Sequence, residues 1–232
     1  MTSLPAAFGR HWQLAALCLA LCLLWSTPVV MPLKLLLVLF HELSHAAATL
    51  LTGGEVVDMH ITLSQGGQVI SRGGNRFVIL CAGYIGSLAI GVVLFIAALR
   101  THADRAIAAT LGAVLVASAA LYMQGIFAIG FAAGTGAALI AAAAYLSRDV
   151  NDLILRLIGM ASMIYVPLDI FDDTLRRAHL DSDARMLATE FGGTTMLWGA
   201  AWFALALLTI AACLRYGLGA SSNIAWRPKT TA

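Results

Sequence analysis

Long apolar blocks, separated by short polar segments, dominate the pattern along the chain. Each block approaches the ~20 residues that a helix needs to cross a hydrocarbon core of ~30 Å. The blocks predict membrane helices at residues 12–30, 32–52, 76–99, 106–122, 126–146, 150–170 and 195–214. The prediction is therefore seven crossings, or six if one of the two Ala-rich blocks at 106–122 and 126–146 lies in the membrane interface.

The segment after the second block has a different pattern. Residues 55–74 alternate apolar and polar positions around Gly66 and Gly67, which predicts a β-hairpin. Next to a membrane helix, a hairpin needs paired edges or protein cover. We therefore expect an all-α polytopic membrane protein with six to seven transmembrane helices and a small β-hairpin after the second helix. The hairpin is expected at the interface or dipping into the bundle.

Two other segments refine this prediction. The third block contains Gly83, Gly86 and Gly91, small residues that permit close approach of neighbouring helices. The polar stretch at 172–193 separates the last two blocks, and it is expected to include an amphipathic helix.

Composition supports a membrane-integral chain. Of the 232 residues, 60% are hydrophobic and only 11% are charged, whereas soluble domains carry about a quarter charged residues. The length suits one integral-membrane domain over residues 1–232, with a core at about 35–183, and the lipid bilayer is the expected surrounding. The net charge of +2 comes without a basic run, so a nucleic acid partner is not expected. The four cysteines lie in apolar blocks and predict no disulfide framework.

His41, Glu42 and His45 lie together inside the second apolar block. Ionisable groups at this depth cost a few kcal/mol on insertion scales, so they indicate a functional site. Positions four apart share a helix face, so His41 and His45 can bind one metal ion. Glu42 is then placed to act as general base toward a zinc-activated water. The H-E-x-x-H order predicts a catalytic zinc site with one Zn²⁺ per chain.

A catalytic zinc site usually has three protein ligands, so a third must come from elsewhere. The remaining histidines lie in polar or loop segments: His11, His60, His102 and His179. Three aspartates close the sixth block, and Asp169 follows Pro167 deeper in the apolar run than Asp172 and Asp173. We expect Asp169 to be the third ligand, and Asp172 and Asp173 stay as alternatives.

At this point the chain resembles the site-2 protease family of intramembrane zinc metallopeptidases. The resemblance is carried by FHELSH in an early membrane helix, the Gly-rich hairpin segment after it, and PLD near the end of a later helix. It implies that His41, His45 and Asp169 bind zinc and that Glu42 is the catalytic base. Ile170 stands where the family normally has glycine after the aspartate. The chain therefore looks more like a divergent bacterial or plant-type branch of the family, and we expect no PDZ domain.

The resemblance implies hydrolysis of peptide bonds within or near transmembrane segments of membrane-protein or peptide substrates. The expected location is multi-pass in the cell inner or plasma membrane. The hairpin between Val56 and Ser71 offers a strand edge for an extended substrate. If substrate selection needs a gatekeeper, an accessory membrane protein is expected to supply it.

Two further interpretations compete with that of a protease. One is a non-catalytic membrane binding or chaperone protein that retains the fold, and the intact Glu42 argues against it. The other is a metal or solute transporter, which would spread ionisable groups along a path instead of gathering them at one place.

Overall fold

The computed structural model describes residues 4–177 and 181–226. Over these residues the chain forms eight α-helices and one antiparallel pair of strands. In chain order they are α1 (Leu4–Leu24), α2 (Met31–Leu51), β1 (Glu55–Ile61), β2 (Gly67–Arg72), α3 (Arg76–Arg100), α4 (Asp104–Leu121), α5 (Ile126–Tyr145), α6 (Arg148–Phe171), α7 (Asp183–Phe191) and α8 (Thr195–Gly217). The predicted fold class, with its hairpin after the second helix, is confirmed.

Six helices of the described ranges are long and apolar enough to cross a membrane, and α1 is not among them. Its apolar part, Gly9–Leu24, is short, and the helix is kinked at His11. The first block was predicted to continue to residue 30. Instead, Pro28 begins a short 3-10 helix, Pro28–Val30, that leads into α2. Proline is favoured at the start of a helix because the N–H group that it lacks would have no partner there.

α3 packs against both α2 and α6, and its glycines lie at these contacts. Gly86 faces Ser44 of α2, and Gly91 faces Ser162 of α6. A Cβ atom on Gly159 of α6 would lie 2.6 Å from the Gly91 carbonyl oxygen. The Ser162 hydroxyl donates a hydrogen bond of 2.8 Å to the carbonyl of Ser87. Small side chains therefore bring α2, α3 and α6 close together, as predicted for the third block.

The two Ala-rich blocks form the helical pair α4 and α5. Gly112 and Gly136 meet at their crossing, where a Cβ on either residue would lie within 2.6 Å of the other's carbonyl oxygen. Arg105 of α4 donates to the carbonyls of Ala143 and Ala144 at the end of α5. Both blocks are among the six candidate membrane spans.

Protein covers the outer edge of β1, whereas most residues of β2 are exposed. Met59 of β1 is fully buried. Its N–H donates to the carbonyl of Tyr122 at 2.9 Å, and its carbonyl accepts from the N–H of Gln124 at 2.9 Å. The connection between α4 and α5 thus pairs with the outer edge of β1. Within the described ranges, the outer edge of β2 has no strand partner.

The end of α6 leads toward α7 through an irregular turn. After Phe171 the chain forms a π-helical turn, Asp172–Arg176. The α7 helix begins at Asp183, and the Ser182 side chain caps it by accepting from the Arg185 N–H at 3.3 Å. The amphipathic helix expected in the polar stretch is therefore α7.

Candidate metal centre

His41 and His45 lie on one face of α2, with ring centroids 4.7 Å apart. The Nδ1 atom of His45 lies 2.7 Å from the carbonyl oxygen of Ile79 on α3. A carbonyl only accepts hydrogen bonds, so Nδ1 carries the proton and Nε2 is free to bind a metal ion. This is the usual arrangement of a metal-ligating histidine.

Asp183 completes the group from α7. Its Oδ2 atom lies 3.0 Å from His41 Nε2 and 3.2 Å from His45 Nε2. In the part of the chain that the structure describes, these three residues are the group whose ligand atoms lie close enough to hold a metal ion, all within 4.8 Å of one another. Asp183 is the first residue of α7, where the helix dipole favours a negative charge.

The Asp183 carboxyl group is buried, with 7% of its side chain exposed. Burial raises its pKa, but interactions with His45 and His41 outweigh this effect and hold the pKa well below its usual range. The carboxylate is therefore ionised at neutral pH, as a metal ligand must be.

Gly83 of α3 leaves the space that a metal ion needs. A Cβ atom at this position would lie 2.6 Å from His45 Nε2 and would also overlap His41 Nε2. The point at which the three ligand atoms converge is thus bordered by backbone rather than by a side chain. Two imidazole nitrogens and one carboxylate oxygen, with one position left for water or substrate, match the ligand set of a catalytic zinc site.

Glu42 lies next to this group and beneath the hairpin. Its side chain is 5% exposed. A Cβ atom on Gly67, the first residue of β2, would lie 2.7 Å from both Cγ and Cδ of Glu42. The hairpin backbone therefore covers the glutamate closely, which glycine at this position permits.

Asp169, the expected third ligand, is not among the residues of this group, although its carboxylate interacts electrostatically with His41. Arg177 Nη2 lies 3.2 Å from Asp169 Oδ1 and 2.8 Å from Asp173 Oδ1. Asp172, which lies between these two aspartates in the sequence, pairs with Arg176 at 3.0 Å. The three aspartates at the end of the sixth block thus pair with Arg176 or Arg177. Asp183 is the aspartate that lies beside the histidines. His179 lies outside the described residues.

Sequence reasoning missed Asp183 because it looks like an ordinary helix start. Ser182 and Asp183 open an amphipathic segment, and both residue types are common there for capping and dipole reasons alone. A weak signal exists, since Asp183 lies in the polar stretch that joins two membrane helices.

The chain belongs to the Peptidase M50B-like family, whose model matches residues 14–213. Comparisons with curated proteins and with solved structures found no match. The family match is consistent with the resemblance to the site-2 proteases. The M50 peptidases are zinc-dependent membrane metalloproteases that act in the lipid bilayer. Together with its six candidate spans, the match makes this chain an integral, multi-pass membrane protein.

Zinc binding distinguishes the two candidate aspartates. Asp183→Ala removes the carboxylate beside both histidines, and it is expected to weaken zinc affinity more than the 10–100-fold that an outer-sphere change costs. Asp169→Ala removes a carboxylate that pairs with Arg177 outside this group, so we expect it to weaken zinc affinity much less than Asp183→Ala does. Metal analysis of the full-length protein purified in detergent measures both. Loss of zinc in Asp169→Ala and its retention in Asp183→Ala would contradict this assignment.

Proposed function

We propose that this protein is an intramembrane zinc endopeptidase that hydrolyses peptide bonds within or near transmembrane segments of other membrane proteins. The observation that carries the proposal is the convergence of His41, His45 and Asp183 at one point, with Glu42 adjacent on α2. The family match supports the same class of chemistry. The cell inner or plasma membrane is the proposed location.

The proposed metal ligands are His41, His45 and Asp183, with Asp183 in the place for which the sequence predicts Asp169. These three residues would hold a zinc ion, which would supply Lewis-acid chemistry toward a water molecule and the scissile carbonyl. Glu42 accepts the proton of the attacking water at a carboxylate oxygen and then passes it to the leaving amine.

Charge balance is compatible with one zinc ion at this group. Glu42 and Asp183 are both buried, and ionised carboxylates in an apolar bundle need compensation. Two carboxylates balance the two positive charges of one zinc ion. The short approach of Asp183 to both histidines matches a group arranged around such an ion.

We further propose that substrates bind as an extended strand along the outer edge of β2. A helix keeps its carbonyls in internal hydrogen bonds, so cleavage requires local unwinding, and an open strand edge can stabilise the unwound segment. The outer edge of β1 is engaged at Met59 by Tyr122 and Gln124, which leaves β2. β2 also begins at Gly67 above Glu42, so a strand added there passes close to the proposed base.

Replacement of the proposed base tests the function directly. We expect Glu42→Gln to lower peptide cleavage by 10²–10⁴-fold, the usual contribution of a general base, and to keep one zinc per chain. The assay is cleavage of a panel of single-pass transmembrane peptides in proteoliposomes, followed by mass spectrometry. If the zinc-loaded wild type cleaves no more than Glu42→Gln, the protein is a binding protein and the proposal fails.

The position of Glu42 can be tested through the hairpin. In Gly67→Ala the added methyl group must displace the flexible Glu42 side chain, and a shift of about 1 Å can cost 10²-fold in rate. We therefore expect strongly reduced cleavage with unchanged zinc content and thermal stability. Gly66→Ala is the matched control, because the nearest atom to its added Cβ is Thr62 Oγ1 at 3.1 Å. Equal activity of both variants would show that Glu42 needs no close hairpin cover.

The strand edge is tested at Val69 of β2. Met59 of β1 directs its N–H and carbonyl away from β2, and Val69 lies opposite Met59, so the N–H of Val69 points away from β1 as well. Val69→Pro removes this outer N–H and is expected to reduce cleavage about tenfold or more, because a substrate strand would bond to it. Val69→Ala shortens the same side chain but keeps the N–H, so it is expected to remain active. Zinc content is measured for both variants. Wild-type turnover of Val69→Pro would contradict substrate addition along β2.

A further inference from the structure

His41 and His45 are held in place by different means. His45 has the hydrogen bond from Nδ1 to the Ile79 carbonyl. Among the described residues, His41 forms its side-chain hydrogen bond to Asp183 through Nε2, on the metal-binding side of the ring. The other contact of this ring is aromatic. Tyr84 of α3 meets it edge to face, at 4.7 Å between ring centroids and 78° between ring planes.

Tyr84 is itself held on its other sides. It is 2% exposed, and its ring packs against Trp202 of α8 at a centroid distance of 5.0 Å. Its hydroxyl group donates a hydrogen bond to Asp173 Oδ2, and the other oxygen of that carboxylate pairs with Arg177 at 2.8 Å. The tyrosine ring is therefore fixed by contacts with two other elements, α8 and the end of α6.

The same guanidinium group also pairs with Asp169. Asp169, Asp173 and Arg177 thus form an ionic cluster that anchors the tyrosine hydroxyl. This gives the polar end of α6 a role without metal ligation. On α3, Gly83 leaves space for the ion, and the next residue, Tyr84, contacts the ring of His41.

We propose that Tyr84 is a positioning residue for the metal centre, which orients the His41 imidazole through its ring. The inference rests on the zinc site of the proposed function. The contact with the Tyr84 ring orients His41, whereas the hydrogen bond to the Ile79 carbonyl orients His45. The Asp173–Arg177–Asp169 cluster holds Tyr84 at the required angle.

Metal affinity and coordination geometry test this role independently of turnover. Zinc affinity is measured by chelator competition on the full-length protein in detergent, and Co²⁺ replaces Zn²⁺ as a probe because its visible absorption depends on coordination geometry. Tyr84→Leu is expected to weaken zinc binding by 10–100-fold, as loss of outer support for a ligand does, and to change the Co²⁺ spectrum. Tyr84→Phe keeps the ring and is expected to retain most of the affinity and the wild-type spectrum.

Phe95→Leu is the matched control on the same helix. Phe95 is 1% exposed and packs near Gly159 and Gly217, away from the histidines. The Phe95→Leu variant loses a buried aromatic ring of similar size, so its zinc affinity and Co²⁺ spectrum are expected to be those of the wild type. If Tyr84→Leu does not fold, Tyr84→Met decides, because methionine fills irregular space without an aromatic ring.

The role of Tyr84 would be overturned if folded Tyr84→Leu or Tyr84→Met kept the zinc affinity and Co²⁺ spectrum of the wild type. It would also be overturned if Phe95→Leu lost as much zinc affinity as the Tyr84 variant. In either case, zinc binding by the wild type leaves the proposed function standing. A correctly folded wild type that binds neither zinc nor Co²⁺ defeats the proposed function itself.

Discussion

The structure depends on gathering ionisable side chains at one point within an apolar helical bundle. Isolated carboxylates or charged imidazoles at this depth are costly, and the cost falls only when such groups face one another or a cation. His41, His45 and Asp183 meet within hydrogen-bonding distance, and Glu42 lies beside them. Each surrounding element is arranged so that these groups can converge without a bulky side chain between them.

α3 is the element that makes this convergence possible. The Ile79 carbonyl fixes His45, Gly83 borders the space between the ligand atoms, and Gly86 lets α2 approach at Ser44. These positions are four and three residues apart, so they share one face of the helix. Glycines that look like simple helix-packing residues in the sequence therefore also shape the metal centre.

The hairpin provides the second boundary of the site. Its strand β2 brings backbone against Glu42 at Gly67, while the α4–α5 connection engages β1 at Met59. The outer edge of β1 is therefore paired. The outer edge of β2, the strand that begins against Glu42, has no strand partner among the described residues.

The sequence by itself determined what depends on local pattern: the apolar helices, the hairpin with its turn before Gly67, and the spacing that puts His41 and His45 on one helix face. Tertiary structure decided which carboxylate joins them. Asp169 and Asp183 both lie near the polar end of α6, and local sequence does not reveal that Arg177 pairs with the first while the start of α7 brings the second to the histidines. Such a choice depends on the path of the chain between helices, because residues distant in sequence meet only when the helices pack.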